Sequence, residues 1–146
     1  MKKIAALATV SIATAALLVG TGAPAQAADW NTRVKCEATD SSNKKIPTRF
    51  GNSVLGWNHF SRPHNIRTCR AVNAAISANA KELDDNRIEY WTDMKKGDEY
   101  VRVTVIAQYS RKTLDGEYDA GAGQKVGVIT AYCKGQRQNV CPSWVN

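Results

Sequence analysis

The sequence contains few of the groups that commonly carry chemistry or cross membranes. Only two of its 146 residues are histidine. Beyond one N-terminal apolar stretch there is no second long apolar run, and therefore no further candidate for a membrane span. No Cys-x-x-Cys pair occurs, which argues against a zinc site. Internal repeats and long low-complexity tracts are also lacking, so the pattern favours an ordinary globular domain.

The first 27 residues have the pattern of a secretory signal peptide. Lys2 and Lys3 form a short basic start, Ile4 to Val19 is an apolar run rich in alanine, and Ala25-Gln26-Ala27 is a small-x-small cleavage signal. We expect cleavage after this triplet, which leaves one secreted domain over residues 28–146. The exported protein is expected to be soluble and extracellular, with no membrane attachment once the signal peptide is removed.

Charge and cysteine content constrain the exported part. Without Lys2 and Lys3 it has 18 basic and 13 acidic side chains, a net charge of +5, which permits nucleic-acid binding without establishing it. Four cysteines in an exported small domain predict two disulfides, for which three pairings are possible. Cys133 and Cys141 would close a short loop, and that leaves Cys36 with Cys69. We predict this pairing, with each bond contributing about 2–4 kcal/mol.

The hydrophobic pattern predicts one helix followed by strands. Apolar residues recur at spacings of three and four over Thr68 to Leu83, with Thr68 as the candidate N-cap. The period then changes to two, which predicts three strands, at Arg87–Met94, Tyr100–Ser110 and Lys125–Cys133.

The region before the helix is predicted to be less regular. A short extended piece is expected around Arg33 to Ala38. Ile46 to Arg67 is expected to be mostly ordered loop, with a turn of helix near Val54 to Phe60. The predicted fold is α+β, with an N-terminal loop and helix region and a three- to four-stranded antiparallel meander, stapled by two disulfides.

Both histidines lie in the segment Gly56–Arg70, five residues apart. Histidine titrates nearest to neutral pH and is the usual proton carrier in catalysis. A histidine pair beside fixed positive charge suits metal-independent cleavage of a phosphodiester. The alternative is that these are surface loop residues and that the arginines only solubilise the protein. The side chains concerned are His59, His64, Arg62, Arg67 and Arg70.

The last predicted strand has polar groups at alternate positions. Thr130, Tyr132 and Lys134 would project from one face. A hydroxyl, a phenol and an ammonium in a row could hold a phosphate, or they could be the solvated side of a sheet. The first interpretation gains weight only if this face meets the histidine segment.

Two short motifs give the chain a resemblance to a known group. Gly56-Trp57-Asn58-His59 and Ile129-Thr130-Ala131-Tyr132, with a predicted helix and strand meander between them, resemble the small toxin nucleases of the barnase–EndoU–colicin–RelE fold group. Within that group the chain looks most like the RNase A-like toxin domains of bacterial competition systems. The resemblance covers roughly residues 55–133. It departs from the family in that Cys133 follows Tyr132, where many members have proline, and in the short stand-alone chain.

The resemblance implies an active site and an activity. The catalytic set would be a histidine, His59 or His64, a following arginine, Arg70 or Arg67, and the pair Thr130 and Tyr132. We expect a secreted, toxin-like ribonuclease that uses no metal or cofactor and cleaves RNA through attack by its own 2′-hydroxyl. Arg62, Arg67 and Lys134 would bind the RNA substrate. The protein is expected to be monomeric, with an immunity protein as a possible partner.

Two other functions are consistent with the same residues. A metal-dependent nuclease of the His-Asn-His type would use His59, His64 and Asn65, but such sites need a further histidine and the chain has none. A secreted, disulfide-stabilised binding module or enzyme inhibitor would instead use the tryptophans and the Arg111–Gln124 loop for recognition. Replacing the histidines separates an enzyme, which would lose turnover, from a binding module.

Overall fold

The computed structural model describes residues 28–146, and the predicted signal peptide and its cleavage site lie outside the described residues. Six strands and two helices follow one another in this part of the chain, with two short 3₁₀ turns near its end. In chain order the elements are β1 (Asn31–Thr39), β2 (Lys45–Gly51), α1 (Trp57–Phe60), α2 (Cys69–Ala78), β3 (Asn79–Glu82), β4 (Arg87–Lys96), β5 (Glu99–Gln108) and β6 (Gly127–Lys134). Among residues 28–146 no helix has the length and apolar character to cross a membrane.

The strands form two antiparallel sheets. β1 and β2 make a hairpin, and β3, β4, β5 and β6 make a four-stranded meander in chain order. Helix α2 covers one face of the meander, because the apolar stripe of the helix packs on alternate residues of the central strands. The buried helix residues are Ala71, Val72, Ala75 and Ile76, and the buried sheet residues facing the same core include Tyr90, Val103 and Val105. The predicted α+β class and antiparallel meander are confirmed.

The predicted helix over residues 68–83 is too long. Helix α2 ends at Ala78, and Asn79 already has extended backbone angles of −119° and 144°. Residues Asn79–Glu82 pair with β4 as an edge strand, with Asn79 opposite Trp91 and Glu82 opposite Ile88. All four residues of β3 are exposed, so the apolar spacing that suggested helix here has no core to bury against, and backbone pairing to β4 decides the conformation.

The expectation of a mostly irregular region over Ile46–Arg67 is also corrected. Its first part is strand β2, which includes Pro47 opposite Glu37 of β1. A proline lacks a backbone donor, but β2 pairs with a strand on one side only, and such edge strands tolerate it. The predicted helical turn is present as α1, and the extended piece near residue 33 is present as β1.

Both predicted disulfides are formed as paired. Cys36–Cys69 joins β1 to the first residue of α2, and Cys133–Cys141 joins the end of β6 to the segment that follows it. Cys133 and Cys141 are buried in the main core, whereas Cys36 and Cys69 are half-buried.

Two glycines permit close approaches between backbone segments. Gly127 begins β6 with a φ of 82°, and a Cβ there would lie 2.0 Å from the carbonyl oxygen of Pro47. Gly51 ends β2 with a φ of 69°, and a Cβ there would lie 1.9 Å from the carbonyl oxygen of Leu55. Any side chain would clash with backbone at both positions, so glycine allows the hairpin and the following loop to close against β6.

Candidate active site

The segment that carries the histidines is anchored to the edge of β6. The side-chain oxygen of Asn52 accepts the backbone N–H groups of Val54 and Leu55, which fixes the turn after β2. Gly56 then donates its backbone N–H to the carbonyl oxygen of Ile129 at 2.9 Å. This bond places the start of α1 beside the residue that precedes Thr130.

Helix α1 is short, and its two aromatic residues hold it in place. Trp57 and Phe60 are both buried, and their rings meet edge to face with centroids 5.5 Å apart. His59, between them in sequence, stays half-buried at the surface. The helix ends at Phe60, before Pro63, so the two histidines are on different local structures.

The two histidines and Tyr132 form one cluster. The ring centroids of His59 and His64 are 6.4 Å apart, and those of His64 and Tyr132 are 6.1 Å apart. Nδ1 of His59 lies 2.9 Å from the carbonyl oxygen of Ser53. Because that oxygen can only accept, Nδ1 carries the hydrogen in this contact, and Nε2 remains as the free ring nitrogen.

The surroundings of His64 and Tyr132 favour their neutral forms. Burial lowers the pKa of His64, the charge of a protonated His59 nearby lowers it further, and the neighbouring backbone of Asn139 and Gln138 opposes both effects. Burial raises the pKa of Tyr132, with a smaller contribution from the carboxylate of Glu89. At neutral pH the cluster therefore holds a neutral imidazole beside a protonated phenol. Nδ1 of His64 is buried without a hydrogen-bond partner among residues 28–146.

The register of the sheet places Thr130 on the same face as Tyr132. Thr130, Tyr132 and Lys134 pair with Ile106, Thr104 and Arg102 of β5, in the predicted alternation. Thr130 and Tyr132 are half-buried and Lys134 is exposed. This face is the one that α2 does not cover. Its central hydroxyl, Oγ1 of Thr104, is buried and has no hydrogen-bond partner within the described chain.

The second disulfide connects this cluster to the C-terminal segment. Cys133 directly follows Tyr132, and Cys141 donates its backbone N–H to the carbonyl oxygen of His64 at 2.9 Å. Asn65 donates from Nδ2 to the carbonyl oxygen of Cys141, also at 2.9 Å. The disulfide therefore links Tyr132 and His64 through covalent and hydrogen bonds, and it fixes both sides of the cluster.

The predicted arginines are distributed around the cluster rather than gathered in it. Arg62 and Arg67 line an open cavity of about 510 Å³ together with Trp57 and Ser61. Nε of Arg67 donates to the side chain of Asn65. Arg70 is exposed in the first turn of α2, which packs on the opposite face of the sheet, and no hydrogen bond in residues 28–146 joins it to either histidine.

Two polar residues of this face were missed by sequence reasoning. Glu89 of β4 lies across Ile106 from Thr130, and Arg87 lies one row further along, opposite Gln108. The signal was present in the alternation of Arg87, Glu89, Trp91 and Asp93 along the strand. In the part of the chain that the structure describes, no group of three or more His, Cys, Asp or Glu side chains is placed to hold a metal ion.

Comparison of the chain with protein-family models, with curated proteins and with solved structures finds no match. The functional conclusion therefore depends on the chemistry of the cluster itself: two histidines, a phenol and a threonine hydroxyl brought to one open sheet edge by the bond between Gly56 and Ile129.

Proposed function

We propose that the exported chain is a secreted, metal-independent ribonuclease with His59, His64, Thr130 and Tyr132 at its catalytic centre. The observation that carries the proposal is the approach of His64 to both His59 and Tyr132, at 6.4 and 6.1 Å between ring centroids. Tyr132 is distant in sequence from both histidines, and a solvated loop and a solvated strand would have no reason to meet.

The cluster contains the groups that the reaction requires. RNA cleavage by its own 2′-hydroxyl needs a base for the hydroxyl proton and an acid for the leaving 5′-oxygen, each contributing about 10²–10⁴ in rate. His64, neutral at pH 7, takes the proton as the 2′-oxygen attacks phosphorus. His59 acts in its doubly protonated form: Nδ1–H is held by the carbonyl oxygen of Ser53, and Nε2 delivers its proton to the 5′-oxygen as the P–O bond breaks. Proton exchange with water then restores both histidines. The products are a 2′,3′-cyclic phosphate and a free 5′-hydroxyl.

The remaining groups stabilise the phosphate. Tyr132 keeps its proton because its pKa is raised, so its phenol donates a hydrogen bond to a phosphate oxygen. Thr130 orients the same phosphate from the neighbouring row of the sheet. Arg67 and Arg62 bind the RNA backbone phosphates next to the scissile one, because arginine forms paired hydrogen bonds with phosphate oxygens. Lys134 adds positive charge at the far end of the row.

We also propose that the ribonuclease is exported and toxin-like, as the resemblance to the toxin nucleases implies. The N-terminal signal pattern and two disulfides support export to an oxidising compartment. A secreted ribonuclease acting on another cell would be toxin-like, and its producer would need an immunity protein if the folded enzyme returned to the cytoplasm.

The test uses a DNA oligonucleotide that contains a single ribonucleotide. We expect the exported, oxidised protein to cut it in EDTA only after the ribose, leaving a cyclic phosphate. The His59→Ala/His64→Ala protein should be folded by near-UV circular dichroism and inactive. Tyr132→Phe should lose about tenfold in rate, whereas the matched variant Tyr100→Phe, at an exposed position of β5, should lose nothing. No cutting by a folded, oxidised wild type would favour the secreted binding module instead.

A further inference from the structure

A second cavity lies beside the proposed catalytic cluster and differs from it in character. It has a volume of about 180 Å³ and is lined mainly by apolar side chains from three parts of the chain. Val54 and Leu55 come from the turn that holds His59, Ile129 comes from β6, and Leu114 and Tyr118 come from the loop between β5 and β6. From this cavity and its neighbours we infer a pocket that binds one nucleobase of the RNA, and this inference rests on the proposed ribonuclease function.

The position of the cavity fits a base attached to the reacting nucleotide. Ile129 immediately precedes Thr130, and Val54 follows Ser53, whose carbonyl oxygen holds His59. The sheet residues at the cavity, Arg87 and Gln108, form the row next to Thr130 on the same face, about 7 Å along the strands. A phosphate at Thr130 therefore places its own ribose and base over this row.

The size and walls of the cavity fit a planar aromatic ring. Its volume corresponds to about six water molecules at roughly 30 Å³ each, which is of the order of one base. Tyr118 is buried and braced edge to face by Trp30, with centroids 6.1 Å apart, so it forms a rigid aromatic wall. Apolar walls with a few fixed polar groups are typical of small-ligand sites.

Exposed apolar groups stand at the mouth of the cavity. Val54 is 55% exposed and Leu114 is 58% exposed, and both belong to short polar turns. Neither turn needs an apolar side chain: Asn52 fixes the first and Asp115 fixes the second by accepting from Thr113 and from the backbone of Glu117. Their apolar character is accounted for if they close over the faces of a bound base.

Two polar residues of the sheet, Arg87 and Gln108, also line the cavity. Nε of Arg87 is buried and makes no hydrogen bond within residues 28–146. Gln108 is fixed by donating from Nε2 to the backbone carbonyl of Asp85 at 2.7 Å and to the hydroxyl of Ser110 at 2.8 Å. These two residues make one side of the lining polar, which suits the polar edge of a base.

The test measures base preference in the exported, oxidised protein. Four dinucleotide substrates differing only in the base on the attacked ribose give four values of kcat/KM. We expect the wild type to prefer one base. The Val54→Ala/Leu114→Ala variant should have a kcat/KM for that base about tenfold or more lower, so that it approaches the values for the other three bases. The matched control is Val34→Ala, at a 45% exposed valine on β1, which should leave all four values unchanged. A preference that survives the double variant overturns the inference.

A binding measurement separates this inference from the proposed function. Each nucleoside 3′-monophosphate is titrated into wild type and double variant, and the methyl resonances of Leu55 and Ile129, which line the cavity and are present in both proteins, are followed. Saturable shifts for the wild type, lost in the variant, support the pocket even if the protein cuts no RNA. Cutting of RNA with no methyl shift by any of the four overturns the pocket and leaves the ribonuclease proposal standing.

Discussion

The two disulfides close loops of different size in different surroundings. Cys36–Cys69 spans 33 positions and joins two half-buried residues at the junction of β1 and α2. Cys133–Cys141 spans only 8 positions, but it is buried and its second residue is hydrogen-bonded to His64. The loop-closure entropy of a disulfide depends on the length it spans, whereas its effect on a site depends on what its backbone touches. We therefore expect the bond that contributes more stability to differ from the bond that matters more for the proposed catalytic cluster.

The largest effect on stability is expected from removing Cys36–Cys69, the disulfide that closes the longer loop. Cys36→Ala/Cys69→Ala should lower the free energy of unfolding by about 4 kcal/mol, from the loop-closure entropy. Urea unfolding monitored by tryptophan fluorescence measures this loss. RNA cleavage per folded molecule should stay within about threefold of wild type, since neither cysteine contacts the cluster. If the folded variant lost activity, the junction of β1 and α2 would also control the site.

Removing the disulfide that closes the shorter loop should have a smaller effect on stability and a larger effect on activity. Cys133→Ala/Cys141→Ala should cost about 3 kcal/mol from loop closure, but it should also lower kcat about tenfold because His64 loses its fixed neighbour. The same urea titration and a single-turnover assay on folded protein give both numbers. If the two double variants showed equal specific activity, the contact between Cys141 and His64 would have no functional weight.

One substitution removes a hydrogen bond that joins the second disulfide to the histidine segment, together with the bond that Arg67 donates to the same side chain. Asn65 has a left-handed φ of 53° and donates to Cys141, so Asn65→Ala should cost about 1–2 kcal/mol from lost hydrogen bonding and backbone strain, and should reduce cleavage. The matched control is Asn43→Ala, which has a φ of 61° in the turn between β1 and β2. It should show the backbone cost without the loss of activity.

The smallest expected effect is on the dependence of stability on pH. The pKa of His64 is lowered in the folded protein, so below about pH 6.5 the unfolded chain binds the proton more readily, and the folded state loses stability as pH falls. Unfolding at pH 7.5 and pH 5 should therefore show a smaller loss for His64→Gln than for wild type. Identical losses would mean that burial does not disfavour the charged imidazole. If His64 is the catalytic base, the midpoint of the acidic limb in the profile of kcat/KM against pH should likewise lie below pH 6.5.

The sequence predicted those features that depend on local pattern. Strands β4, β5 and β6 followed from alternation, and the disulfide pairing followed from loop length and parity. β2 and β3 were missed because their strand conformation comes from pairing with β1 and β4, and their own residues are polar or include Pro47. The pattern assigned β3 to a helix because Ala80 and Leu83 continue the apolar spacing of α2, and nothing local shows that the core ends at Ile76.

The candidate site was predictable in its residue types but not in its assembly. His59, His64, Thr130 and Tyr132 were selected because of their chemistry, but their proximity depends on one backbone bond between Gly56 and Ile129, which no local pattern contains. The arginine assignment stays a prediction: Arg67 lines the cavity next to α1, and Arg70 lies on the helix across the sheet. The cavity beside Thr130 was not predicted at all, because it is formed by segments that are distant in sequence.

The close approaches at Gly51 and Gly127 also restrict how this sequence can vary over evolutionary time. Chains that diverged from a common ancestor can replace core residues by others of similar volume and can exchange surface residues freely. They cannot place any side chain where the backbone carbonyls of Leu55 and Pro47 already lie. A remote homologue should therefore be recognisable by a glycine at the end of one strand and another three residues before a Thr-x-Tyr triplet, even when overall sequence identity has fallen to background.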